Sequence, residues 1–333
     1  MQKIDRSYIR IIRYAVQWVV FSLVLYSGVT FYLYVKAVES GIPPTVTRPP
    51  SVEGFLPIGG FVALKLWITE GILDPIHPAA PMIFASALLV SFLLRKSFCS
   101  WICPVGTLSE VVWMLGEKVV GVNFRVQKYA DYVLRSLKYI IMCLFIYIIF
   151  IKMSFSRIIG FMSTPYWKVA DVKMLRFFTD ISRTTAIVLG ILVVLSMIYK
   201  NVWCRYLCPY GALTGILGGL GPVGIKRHEN ACINCSLCAK HCPSLLPVDK
   251  KGLINSPECT GCLTCVSRCP AKDALDVRVG GKWTMRPEIM AAFIVVIFFG
   301  IITAARLSGK WHSSVSYEEL KSLLSVLQNL EHP

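Results

Sequence analysis

AVQWVVFSLVLYSGVTFYLYV, residues Ala15 to Val35, runs 21 positions without a charge. At about 1.5 Å of rise per residue this is enough to cross a hydrocarbon core about 30 Å thick, so the fold begins with a membrane helix. The basic start, with Lys3, Arg6, Arg10 and Arg13, looks like the front of a secretion signal. The apolar run is longer than the roughly 7–15 residues of a signal core, which makes it an uncleaved anchor. Working outward, four further apolar stretches read as spans: Ile76 to Leu94, Leu137 to Ile151, Thr184 to Tyr199 and Ile289 to Ala305. Phe55 to Leu73 is comparably long. Its Lys65, Glu70 and three glycines between Gly54 and Gly60 make it a re-entrant or interfacial piece instead.

Composition agrees with a membrane chain. The 333 residues are 55% hydrophobic and 16% charged, with a mean hydropathy of +0.60, against about 45–50% and about 25% in soluble domains. The net charge of +16 is dispersed between apolar segments rather than gathered on one domain, which excludes nucleic acid as the partner. It serves better as an orientation signal. With five spans and the N-terminus inside, segments 1–14, 95–136 and 200–287 carry 22 Lys and Arg, and segments 36–75, 152–183 and 306–333 carry 12. That bias satisfies the positive-inside rule. A sixth span at 55–73 would reverse the two most basic loops, so five spans are expected, with every patterned cysteine on the cytoplasmic side.

Twelve of the 13 cysteines are patterned, and Cys143 alone reads as a packing residue. Residues 232 to 243 read CINCSLCAKHCP and residues 259 to 270 read CTGCLTCVSRCP, so C-x2-C-x2-C-x3-C-P occurs twice at an offset of 27. In such runs three closely spaced thiolates hold one corner of a cubane and the fourth, ahead of proline, crosses to the other cluster. One 4Fe-4S cluster is therefore expected on Cys232, Cys235, Cys238 and Cys269, and a second on Cys259, Cys262, Cys265 and Cys242. Structural zinc also uses C-x2-C pairs, but both C-P endings follow the iron-sulfur pattern. Disulfides do not suit a cytoplasmic site. Residues 224 to 286 hold ten Lys or Arg against five Asp or Glu. Two readings of that excess stay open, contact with an anionic leaflet and steering of an acidic redox partner.

A second repeat lies in the membrane part. FCSWICPVGTLS, residues 98 to 109, and WCRYLCPYGALT, residues 203 to 214, share aromatic-C-x-aromatic-x-C-P-x-G-x-L at an offset of 105. Each copy follows a span, so two related units form the membrane core. Three roles stay open for Cys99, Cys103, Cys204 and Cys208: an additional cluster or metal site, a thiol/disulfide couple, or packing of small apolar side chains.

The paired C-x3-C-P motifs together with a double-cluster domain resemble the NapH family of membrane-bound ferredoxin-type proteins over about residues 10 to 285, on CSWICPVG, CRYLCPYGA and the two cluster runs. The membrane part of NosR and the CcoG (RdxA) proteins of copper-oxidase maturation share these motifs. The resemblance implies four spans with motifs and clusters on the cytoplasmic side, oxidation of quinol, and delivery of electrons to a partner. This chain is expected to add a fifth span and an outer tail and to be without the N-terminal flavin-bearing region of NosR.

The expected class is thus an α-helical integral protein of the bacterial inner membrane, with about five transmembrane helices and a small α+β two-cluster ferredoxin domain. Residues 1–136 form a first membrane unit, 137–223 a second, 224–286 the ferredoxin domain, and 287–333 the fifth span and outer tail. In that tail Ser316-x-x-Glu319 is a capping box, and Leu320, Leu323, Leu324, Leu327 and Leu330 recur at helical spacing. The helix would rest on lipid or dock an outer subunit. No C-x-x-C-H and no G-x-G-x-x-G is present, which excludes covalent c-type haem and a bound dinucleotide on this chain. An isolated relay must exchange electrons with other molecules. Quinone or quinol near the cytoplasmic interface is the expected substrate, with Trp101, Glu110, Trp113, Glu117 and Tyr206 as candidate contacts. Glu70, Asp74 and His77 suggest an outer proton-release site. The expected function is an electron-transfer subunit joining the quinone pool to other subunits of a redox complex. The alternatives are a redox maturation factor that reduces a metal or thiol, and a redox-sensing regulator or anchor.

Overall fold

The computed structural model describes residues 6–121 and 124–327. In chain order its helices are α1 (Ser7–Glu39), α2 (Pro57–Glu70), α3 (Ala79–Leu93), α4 (Phe98–Trp101), α5 (Pro104–Val120), α6 (Lys128–Tyr147), α7 (Phe155–Met162), α8 (Pro165–Lys168), α9 (Ala170–Thr179), α10 (Arg183–Ile198), α11 (Pro209–Leu220), α12 (Leu237–Lys240), α13 (Thr264–Ser267), α14 (Pro287–Leu307) and α15 (Tyr317–Ser325). Strands β1 (Val223–Arg227), β2 (Leu253–Ile254), β3 (Leu275–Val279) and β4 (Trp283–Met285) interrupt the later helices. A single wide turn, Ile148–Lys152, ends α6, and a second, Trp203–Leu207, carries the second C-x3-C-P motif.

All five expected spans coincide with helices, namely α1, α3, α6, α10 and α14. Three are long and apolar enough to cross a membrane alone: α1, α6 with its terminal turn, and α14. Helices α9 and α10 qualify as a pair bent by 72°, and α3 has 15 residues. Polar groups shorten α3 from the expected 76–94 by fixing its start. Asp74 Oδ1 accepts the Ile76 N–H at 2.9 Å, and Glu53 Oε2 accepts the N–H groups of Ala79 and Ala80 at 2.8 and 3.1 Å. Those amides are among the donors that every helix start leaves free. Along α1, Trp18, Val19, Leu23, Leu25 and Tyr26 are exposed while Arg13 and Gln17 are buried. Apolar outside and polar inside is the arrangement that a hydrocarbon solvent selects.

The residues gather into two compact units. The first draws on Met1–Phe21, Ala87–Met142 and Leu189–Phe298, the second on Ser22–Ser86, Cys143–Val188 and Phe299–Pro333. Both expected membrane units, 1–136 and 137–223, contribute to each. Helix α1 is itself divided between them, with residues 7–21 in the first and 22–39 in the second.

In the first unit an antiparallel sheet of order β2-β1-β3-β4 carries the cysteine runs, with Ile225 opposite Val277 and Ile254 in a buried centre. In the second unit the segment expected to be re-entrant forms α2. Its Lys65, whose charge argued against a span, donates to the carbonyls of Ile149 and Met153 at 2.8 and 2.6 Å and so satisfies acceptors at the broken end of α6. Cys143, expected to pack, is exposed on α6. The tail is a second correction. Ser316 Oγ caps α15 by accepting the Glu319 N–H at 3.2 Å, but Leu320, Leu324 and Leu327 are buried with Phe31, Tyr34, Val35 and Val38. The apolar face therefore covers this chain's own core rather than lipid or another subunit, and Lys168 pairs with Glu319 at 2.5 Å. Leu330 lies outside the described residues.

Candidate functional site

The duplicated cysteine runs repeat in backbone as well as in sequence. Asn234 and Ser236 hold φ of 56° and 55°, and 27 residues later Gly261 and Leu263 hold 60° and 57°. These left-handed positions turn the chain between successive cysteines and fold three thiols around one space. The short helices α12 and α13 start at the same offset, each just before its third cysteine. Cys232, Cys235, Cys238 and Cys269 line one cavity of about 350 Å³. Cys242, Cys259, Cys262 and Cys265 line another of about 380 Å³. In both, the fourth thiol comes from the other run. Among the described residues no three His, Cys, Asp or Glu side chains converge on a single ion. Four thiols drawn from both runs around one cavity are the donor set of an iron-sulfur group.

The two cavities differ in surroundings. No exposed residue walls that of Cys242, whereas Ile233, Cys235 and Ser236 on the wall of that of Cys232 are exposed. Burial pushes the Cys242 thiol up to about 12, and Cys262 adds to the rise. At Cys232 the effect of burial is outweighed by Arg227, whose Nε–H donates to Sγ at 3.3 Å and holds the thiol below its ordinary value.

The C-x3-C-P cysteines form a third group. Cys103 and Cys208 occupy the N-caps of α5 and α11, each followed by proline at the first helical position. A missing N–H costs nothing there, and the free amides around the cap favour a thiolate. The Gly211 N–H donates to Cys208 Sγ at 3.2 Å, and the amides of Gly106 and Val105 point to Cys103. Burial, followed by the proximity of Cys99, pushes Cys103 up to about 12 and also raises Cys208, while burial with Cys208 raises Cys204 well above the usual thiol range. Burial and the charges of neighbouring thiols thus disfavour simultaneous ionisation of the four. Beside them lies a chamber lined by Cys99, Cys204, Lys96, Glu110, Glu258 and Cys262, among others.

The expected quinone contacts do not surround one space. Glu110 lines the chamber, paired with Arg13 at 2.6 Å. Trp101 is fully buried and donates its indole N–H to the Gly261 carbonyl at 3.1 Å, while the Ser100 hydroxyl donates to the Thr260 carbonyl at 2.6 Å. The pair clamps the second cysteine run onto the first C-x3-C-P segment. Tyr206 donates to Asp131 Oδ1 at 2.8 Å. Trp113 is buried with the Lys200 ammonium 4.5 Å from its ring, and Glu117 is exposed. The three outer residues also diverge. Glu70 is exposed, whereas Asp74 and His77 are fully buried against Trp167, whose indole N–H meets Asp74 Oδ2 at 2.9 Å and whose carbonyl meets His77 Nε2 at 2.8 Å. Sequence reasoning overlooked Lys96, whose signal was a lysine three positions before Cys99. Burial disfavours its charge, yet Cys99, Glu258, Cys208 and Cys204 hold the ammonium above the ordinary lysine value.

Comparison with known proteins agrees with this geometry. A 4Fe-4S binding domain model matches residues 76–123 and 184–228, which contain the C-x3-C-P motifs, and a 4Fe-4S dicluster domain model matches residues 224–270. The chain is 38% identical over 327 residues to YccM of Escherichia coli (strain K12), which carries a provisional electron-transport name; the match covers 96% of this chain and 91% of that protein. It is 26% identical over 207 residues to the ferredoxin-type protein NapH of Haemophilus influenzae, covering 59% and 68% of the two chains. A match to the regulatory protein NosR of Pseudomonas aeruginosa, 28% identical, covers 51% of this chain and 23% of that protein. No solved structure matches.

Proposed function

Since the chain belongs to the NapH-like family of ferredoxin-type 4Fe-4S electron-transfer proteins, we propose that it is a membrane-anchored relay carrying electrons between the quinone pool and a redox partner subunit through three thiolate-held centres in series. The first is held by Cys99, Cys103, Cys204 and Cys208, the second by Cys242, Cys259, Cys262 and Cys265, and the third by Cys232, Cys235, Cys238 and Cys269. One observation carries the order: Pro243, Ser244, Thr260 and Cys262 wall both the chamber beside Cys99 and Cys204 and the cavity of the second set. The exposed rim of the third set makes it the exchange point with a partner.

Iron-sulfur groups supply one-electron chemistry, so a two-electron quinol is oxidised in two transfers and releases two protons to its surroundings. The chain's residues hold the sequence of sites together. Arg95 Nη1 and Nη2 donate to the carbonyls of Gly218 and Ser256 at 2.9 and 2.6 Å, and Lys138 Nζ donates to Glu258, beside Cys259, at 2.7 Å. The positive-inside bias supports a cytoplasmic position for segments 95–136 and 200–287 in a bacterial inner membrane.

Iron and sulfide quantitation of the purified chain tests the count. Three cubanes require about twelve irons per chain and two require about eight. The double variant Cys204→Ser, Cys208→Ser should lose about four irons and one paramagnetic signal on reduction. An unchanged iron content in that variant removes the C-x3-C-P centre and leaves a two-cluster relay.

A further inference from the structure

Lys96 lies 3% exposed in the first unit and lines the chamber beside Cys99 and Cys204. The other buried cations of that unit are partnered: Arg13 by Glu110 at 2.6 Å, Arg95 by the Gly218 carbonyl at 2.9 Å, Lys138 by Glu258 at 2.7 Å, Lys200 by Glu117 at 4.0 Å and Arg205 by Asp131 at 2.9 Å. The Lys96 ammonium makes no hydrogen bond or ion pair among the described residues, and the carboxylate whose charge reaches it, Glu258, is already bonded to Lys138 at 2.7 Å. Two buried ammonium groups thus share one carboxylate, and a fold retains such an excess of positive charge where a further anion completes the site.

The approach of this side chain is built into α11. Gly211, Gly215 and Gly218 recur at helical spacing on one face. A Cβ on Gly218 would lie 2.7 Å from the Lys96 backbone nitrogen, one on Gly215 would lie 3.7 Å from its Cδ, and one on Gly211 would lie 3.4 Å from its Nζ. The three glycines thus form a groove that the lysine stem follows from backbone to tip. At the end of the groove, the point above Gly211 also lies within 3.5 Å of Cys208 Sγ and of the Cys204 carbonyl. The charge is delivered to the C-x3-C-P thiols.

We propose that Lys96 is a positioning residue, the fixed counter-cation of the centre held by Cys99, Cys103, Cys204 and Cys208, which makes that centre easier to reduce than four thiolates alone would allow. This rests on the three-centre reading above. Four thiolates around iron give the site a net negative charge, each added electron deepens it, and a nearby fixed positive charge favours the reduced state. Net charge and hydrogen bonds at the sulfurs are the protein's means of setting a cluster potential.

The test is an EPR-monitored redox titration of the full chain in detergent, comparing wild type with Lys96→Met, Lys96→Arg and Gly211→Ala. Lys96→Met should make one of three signals at least tenfold harder to reduce, about 59 mV for one electron, and leave the other two unmoved. Lys96→Arg should stay near wild type, and Gly211→Ala, which crowds the ammonium without removing it, should shift the same signal. A wild-type midpoint in Lys96→Met overturns the proposal, as does a Lys96→Arg chain that behaves like Lys96→Met. If Lys96→Met fails to assemble, the Lys96→Arg and Gly211→Ala midpoints decide. A wild-type chain with only two signals and about eight irons instead overturns the three-centre reading, so the two failures are told apart.

Discussion

Single residues set the character of each thiol site, and Cys232 is the clearest case. The Arg227 guanidinium beside it outweighs burial and holds its thiol below the ordinary value, whereas burial pushes Cys242 up to about 12. A lowered value means more thiolate at a given pH. In a chain stripped of iron, Cys232 should be alkylated by iodoacetamide at lower pH than Cys242, and Arg227→Gln should move its reaction to higher pH. Mass spectrometry of the labelled peptides checks the order, and simultaneous alkylation of the two would contradict it. The glycine at 261 shows how little latitude such loops have. Its φ is 60°, and a Cβ there would lie 3.2 Å from both the Leu94 carbonyl oxygen and the Arg95 Cβ.

At the scale of elements, α1 is tied to α5 by a buried bidentate pair. Arg13 Nη1 and Nη2 donate to Glu110 Oε2 and Oε1 at 2.7 and 2.6 Å, and Gln17 Nε2 reaches Glu110 Oε2 at 3.0 Å and the Ser100 carbonyl at 2.9 Å. Removing one partner strands a buried charge, at a cost of about 3–5 kcal/mol. Arg13→Met should destabilise the solubilised protein by about that amount, and Arg13→Met with Glu110→Met should recover most of it. Thermal unfolding of the four members of the cycle measures this, and additive losses would deny the coupling. Elements were legible in sequence where the signal is local. The cysteine spacing, the Ser316 cap and the positions of the apolar helices all followed from neighbouring residues. Arg13 and Lys96 were not legible as buried groups, because a lysine or arginine at a helix end reads first as an orientation signal. The partner of Arg13 lies 97 positions away. The partners of Lys65 were hidden in the same way, since the carbonyls that accept its ammonium lie 84 and 88 positions along the chain.

For the whole molecule, the uneven distribution of basic residues makes orientation testable. With five spans and the N-terminus inside, alkaline phosphatase fused after Ser325 should be active and after Arg286 inactive, since the enzyme folds only outside. Activity after Arg286 would reverse the arrangement. Apolarity alone indicated a membrane and left the depth of each helix open. The shortened α3 and the bent α9–α10 pair owe their ends to polar groups and turns that hydropathy does not register. The tail helix likewise looked free to bind elsewhere, because its acceptor surface is assembled from Phe31, Val38 and Val172, residues scattered over the chain.

The clamp of Ser100 and Trp101 on Thr260 and Gly261 has a consequence for biogenesis. It closes the cavity of Cys242 behind walls with no exposed residue, while the cavity of Cys232 keeps an open rim. Loading of the proposed relay is accordingly expected to run in order, the cluster of Cys242 before the cysteine loop docks and that of Cys232 later, and iron-57 exchange into the assembled protein should label the Cys232 site first.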